Sequence, residues 1–146
     1  MESRAGIAQH QRPRFGYLHH ISLPCRDVEE SKRFYTQVLG FVLKTDVPVG
    51  EYKWLTVVSE DDPDGTELLL EPTGFEPAKT YQKALYDANI PLTAFHVNDI
   101  DMEYERLSDL GVMFIMKPNR MGPVKLAVFD DTCGNKIQLI QVMENE

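Results

Sequence analysis

The chain contains nearly the same unit twice. His20-Ile21-Ser22-Leu23-Pro24-Cys25-Arg26-Asp27 opens one copy and Leu92-Thr93-Ala94-Phe95-His96-Val97-Asn98-Asp99 the other, at an offset of 72 from His20 to Leu92 and again from Asp27 to Asp99. Both openings run into an amphipathic stretch, a glycine (Gly40, Gly111) and a series of short strand-like runs. Half of a 146-residue chain buries little apolar surface alone, so two copies sharing one core are expected rather than two independent domains.

Local signals fill in the unit. Alternation predicts a strand over 17–25. Asp27 with Glu30 three residues on forms a helix-capping pattern, and Val28, Ser31, Phe34, Tyr35, Val38 and Leu39 fall on one helical stripe. Gly40 supplies the stop. Strands follow at about 41–47, 52–59 and 66–71, the last two joined by the turn-rich Glu60-Asp61-Asp62-Pro63-Asp64-Gly65. A helical connector covers 78–89, and Pro91 marks the restart. The second unit runs as a strand over 92–97, a helix over 99–110 with Ile100, Tyr104, Leu107 and Leu110 inward, and strands over 112–116, 124–129 and 136–142. The 117–123 segment, with Lys117, Arg120 and Gly122, reads as a solvated loop. The prediction is an α+β fold: two βαβββ modules forming curved mixed sheets around a cavity, with helices on the outer faces. Residues 1–15 are expected to be a mobile tail and 16–146 a single domain, with modules at about 16–74 and 91–143 and the connector at about 75–90.

Composition excludes some classes. A net charge of −8 argues against a general nucleic-acid partner. No apolar run approaches the roughly 18 residues that span a membrane, and the polar start carries no secretory pattern. Cys25 and Cys133, one in each unit, read as reduced thiols of a cytoplasmic protein.

Strand parity separates two faces. Ile21, Leu23 and Cys25, Leu68 and Leu70, Phe95 and Val97, and Ile137 and Leu139 suit packing under helices. The alternate positions collect His20, Ser22, Glu67, Glu71, His96 and Gln138. On the third strand Tyr52 and Trp54 share parity with Lys53 opposite, and sequence leaves open which side meets a cavity.

His20-Ile-Ser-Leu, Asp27, Arg33-Phe34-Tyr35 and Leu39-Gly40-Phe41, with Phe95-His96-Val97-Asn98-Asp99 and the run from Phe129 through Gly134-Asn135-Lys136-Ile137-Gln138, resemble the vicinal oxygen chelate superfamily of glyoxalases, bleomycin resistance proteins and extradiol dioxygenases. The resemblance implies a glyoxalase-like fold, a small-molecule ligand and a homodimer. Metal-using members carry ligands at positions matching His20, Leu92 and Gln138, and glyoxalase I adds a Glu late in the first module, which maps to Leu69 or Glu71. Leucine cannot ligate, and Gln lacks a charge. His19, by parity, points to the opposite face. The resemblance therefore implies two alternatives. One is a small-molecule-binding protein of the bleomycin-resistance kind with an incomplete metal site. The other is a lyase or isomerase using one divalent ion (Zn, Ni, Mn or Fe) on His20, Glu71 and Gln138, with Glu71 as candidate base. Ser22, Tyr52, Trp54 and His96 are candidate ligand contacts in either case.

Overall fold

The computed structural model describes residues 14–144, so all of the expected N-terminal tail before Arg14 lies outside the described residues. The first module comprises β1 (His20–Cys25), α1 (Val28–Arg33), β2 (Val42–Val49), β3 (Tyr52–Val58) and β4 (Glu67–Pro72). The connector is α2 (Glu76–Asp87). The second module comprises β5 (Thr93–His96), α3 (Ile100–Asp109), β6 (Phe114–Met121), β7 (Val124–Asp130) and β8 (Lys136–Val142). Each module folds into a four-stranded mixed sheet, ordered β1-β4-β3-β2 and β5-β8-β7-β6, and the two sheets do not close into one barrel. The expected fold class is the one observed.

The repeat is visible in the caps. Asp27 accepts a hydrogen bond from the Glu30 amide and Asp99 one from the Met102 amide, both 3.1 Å long. Asp-x-x at a strand end thus starts the helix twice, 72 residues apart. After α1 the backbone widens into a π-helical turn over Phe34–Val38, closed by Leu39 N–H donating to the Phe34 carbonyl. The extra residue in that turn keeps Phe34 and Tyr35 both buried.

One core serves both modules. Leu23, Cys25, Leu55, Val57, Leu68 and Leu70 from the first sheet join Ala127, Phe129, Ile137 and Leu139 from the second. Phe34, at the end of α1, lies 6.3 Å from Phe129, and Tyr35 lies 6.3 Å from Phe95. The first module's helix therefore packs against the second module's sheet as well as its own. α1 and α3 lie between the two sheets rather than on their outer faces as the sequence suggests, while α2 is largely exposed. A buried helical layer shared by two sheets covers two apolar faces at once, which suits modules too small to core themselves. In consequence the other face of each sheet is turned outward.

Two local expectations change. Residues 117–121 are strand, not loop: β6 runs to Met121, and register shifts between Phe114 and Asn119 hide its alternation. Ile21, at the outer end of β1, is 42% exposed rather than packed under a helix.

Candidate functional site

The open face of the first sheet is built by register. The β1–β4 pairing sets Glu67 beside His20, Leu69 beside Ser22 and Glu71 beside Pro24. Pairing of β2 with β3 sets Val47 beside Trp54 and Val49 beside Tyr52. His20 meets Trp54 edge-to-face at 5.2 Å, and Thr56 Oγ1 donates to Glu67 Oε1 at 2.7 Å. Lys53 reaches the opposite way, to Glu29 on α1 at 3.1 Å. The side that sequence left undecided is therefore Tyr52 and Trp54. Val47, Val49 and Tyr52 are 46%, 58% and 56% exposed, an apolar strip facing solvent next to a His–Trp pair.

His19 departs from expectation. The strand begins at His20, so strand parity does not govern the residue before it. Its Nδ1 lies 3.1 Å from His20 Nδ1 and its Nε2 3.6 Å from Glu67 Oε2. Both histidines thus stand beside Glu67.

The second sheet's open face carries Ala94 and His96, exposed on β5, with Gln138 registered between Ala94 and Val128 on the flanking strands. Leu92 precedes β5 and packs against the core. Lys136 follows the same turn inward: its Nζ donates to the Tyr86 carbonyl at 3.1 Å and to Asn89 Oδ1 at 2.8 Å.

The three residues expected as a metal set are not brought together in one chain. Glu71 sits four positions beyond Glu67 on β4, about 13 Å along the strand from the level of His20. Gln138 belongs to the other sheet, beyond the helical layer. Among the described residues no group of three or more His, Cys, Asp or Glu converges as a metal site. The carboxylate registered beside His20 is Glu67, which strand parity places on the same face as Glu71. The alignment of Gly65 with Gly134 held the signal, since it equates Glu67 with Lys136 and hence with the start of each parallel pair. Glu67 already accepts from Thr56. His19 and His20 meet through their Nδ1 atoms and Glu67 is engaged by Thr56, so these side chains do not converge as the roughly three donors, with an open position, that a catalytic divalent site takes.

A separate polar cluster is fully buried at the join of the modules. Asp131 Oδ2 accepts from the Tyr35 hydroxyl at 2.6 Å and from Asn135 Nδ2 at 2.9 Å, while Oδ1 accepts from the Cys133 and Asn135 amides at 2.7 and 2.9 Å. Asn135 Nδ2 also donates to the Pro24 carbonyl of β1 at 2.9 Å. Burial raises the Asp131 carboxyl above the usual carboxylate range, and burial likewise pushes Tyr35 up. Cys25 and Cys133 are free and buried, with pKa values raised to about 12 and about 11 by burial. These groups fasten the second module's turn to the first module's strand. Their thiols are poor nucleophiles.

A sequence profile described as the Glyoxalase/Bleomycin resistance protein/Dioxygenase superfamily matches residues 17–139. The uncharacterized protein YurT of Bacillus subtilis (strain 168) is 52% identical over 120 residues, covering 82% of this chain and 94% of that protein. Among solved structures, UcmS2 is 32% identical with a TM-score of 0.76, covering 87% of this chain and 98% of that one. TnmS3, an antibiotic binding protein from Streptomyces sp. CB03234, is 27% identical with a TM-score of 0.73, covering 90% and 99%.

Proposed function

The chain belongs to the glyoxalase/bleomycin resistance protein/dioxygenase superfamily, and from that premise we propose that it binds a small, partly aromatic molecule and does no chemistry on it. The observation that carries this reading is the open face of the first sheet. There Tyr52, Val47 and Val49 form an exposed apolar strip that runs up to the half-buried Trp54 and its partner His20. Contiguous apolar surface of this kind favours an occupant, and Trp and Tyr present flat faces with a polar edge for a ring-bearing ligand. The likeness to an antibiotic binding protein supports the same class of ligand.

A second copy completes the site in this proposal. Each sheet turns its open face away from the chain's own core, so neither can enclose a ligand alone. A two-fold pair can set the first sheet of one copy over the second sheet of the other, forming two equivalent cavities. His96 and Gln138 then supply polar contacts opposite the Trp54 strip. A lyase acting through His20, Glu71 and Gln138 gains no support from the register, which sets Glu71 four residues from the level of His20.

Trp54 is the only tryptophan, so its fluorescence reports directly on this face. Titrating the protein with a panel of aromatic antibiotics is expected to give saturable quenching by at least one of them. That response should weaken in His96→Ala and vanish in Tyr52→Ala/Val47→Ala. Quenching that is linear in concentration for the whole panel, or indifferent to these substitutions, would contradict the reading.

A further inference from the structure

The connector α2 is an unusual helix for its position. Over twelve residues its one buried side chain is a glutamine, Gln82. Gln82 Nε2 donates to the Pro24 carbonyl at 3.0 Å and to Asn135 Oδ1 at 3.0 Å, so α2 is seated by polar contacts rather than by an apolar stripe. Beside that seat lies a cleft of about 540 Å³, which shares no lining residue with the Trp54 strip or with His96 and Gln138 and is lined by Arg26, Thr73, Lys79, Lys83, Tyr86 and Gly134 among others. Its volume falls in the range of small-molecule sites, roughly 300–1,000 Å³.

The charge of the cleft runs against that of the molecule. The chain carries −8 overall, yet three cations converge here from two segments: Arg26 after β1, and Lys79 and Lys83 one turn apart on α2. One anion, Asp87, is on the lining and bonds Lys83; Lys79 pairs with Glu76 at 3.3 Å. Both ion pairs are solvent-exposed, and such pairs hold their lysines weakly. Among the described residues the Arg26 guanidinium makes no salt bridge, its one hydrogen bond going to the Thr132 carbonyl at 3.1 Å. The floor is bare backbone at Gly134, where φ is +105° and an added Cβ would lie 2.7 Å from Gln82 Nε2 and 3.2 Å from Arg26 Nε. Any side chain at that position would fill the space between the arginine and the glutamine.

We propose that this cleft is a second binding site, for a small organic molecule with a dianionic head group, either a phosphate ester or a dicarboxylate. The head group lies between Arg26, Lys79 and Lys83, where charge-assisted hydrogen bonds are strong. The organic body rests along the Tyr86 ring. Such a ligand touches the end of β1, the connector and the turn that opens β8, and so clamps both modules.

Phenyl phosphate and phthalate are suitable probes, titrated calorimetrically at an ionic strength held constant with sodium chloride. At least one is expected to bind saturably, and the one that does identifies the head group. Lys79→Gln/Lys83→Gln changes only exposed side chains on α2 and is expected to weaken binding by about tenfold or more, as is Arg26→Gln. Trp54→Ala, on the open face of the first sheet, should leave this affinity unchanged. The proposal is overturned if neither probe saturates, if both cleft variants bind like the parent, or if Trp54→Ala abolishes binding.

Discussion

Asp131 accepts four hydrogen bonds in a site closed to solvent, and all four donors are fixed by the fold. An asparagine there would turn an amide N–H toward a donor, so Asp131→Asn is expected to cost about 1–3 kcal/mol in urea unfolding. The pH dependence has a definite sign. Burial raises the folded-state carboxyl, so the folded chain binds this proton more tightly than the unfolded chain. The group's contribution to stability is complete below the ordinary carboxylate value and is lost as pH rises through the folded one. The stability gap between parent and Asp131→Asn should therefore narrow as pH rises above the ordinary carboxylate range. A gap that widens with pH would mean that the carboxylate is favoured, not disfavoured, by its site. Tyr35→Phe removes one donor from the same cluster and should cost about 0.5–1.5 kcal/mol in the same assay.

At the scale of elements, the repeat made most of the fold legible. Asp27 and Asp99 each cap a helix as the sequence indicated, and replacing either by Ala is expected to lower stability by about 1 kcal/mol, read from thermal unfolding. Parity assigned Leu23, Leu70, Ile137 and Leu139 to the core correctly, because strand alternation is a local property of the backbone. What it missed was non-local or irregular. The bulged pairing of β6 erased the alternation that would have marked 117–121 as strand. His19 escaped parity by standing one residue outside β1. That Glu67 rather than Glu71 stands beside His20 was hidden for a third reason: a parallel pairing partner is fixed by three-dimensional register, which spacing along the chain constrains but does not determine. The position of the helices, between the sheets, likewise depends on how two modules dock.

For the whole molecule, the inward helices have a consequence for assembly. They leave an apolar strip on the outside of a sheet, and surface of that kind in a solution protein favours self-association. Sedimentation is expected to give a dimer for the parent chain. Val47→Lys/Val49→Lys should shift it to monomer without loss of secondary structure, since both side chains are exposed and outside the core. Ligand binding should fall with it, because each cavity in the proposal needs two copies. In this proposal the family's cavity is used for binding without metal chemistry. That reading is tested most directly by calorimetric titration of chelator-treated protein with an antibiotic that quenches Trp54, followed by mass analysis of the recovered ligand. The expected result is an affinity unchanged by chelator or by added divalent metal, two sites per dimer, and ligand recovered intact. Binding that appears only when a divalent ion is restored, or a ligand recovered as product, would contradict it.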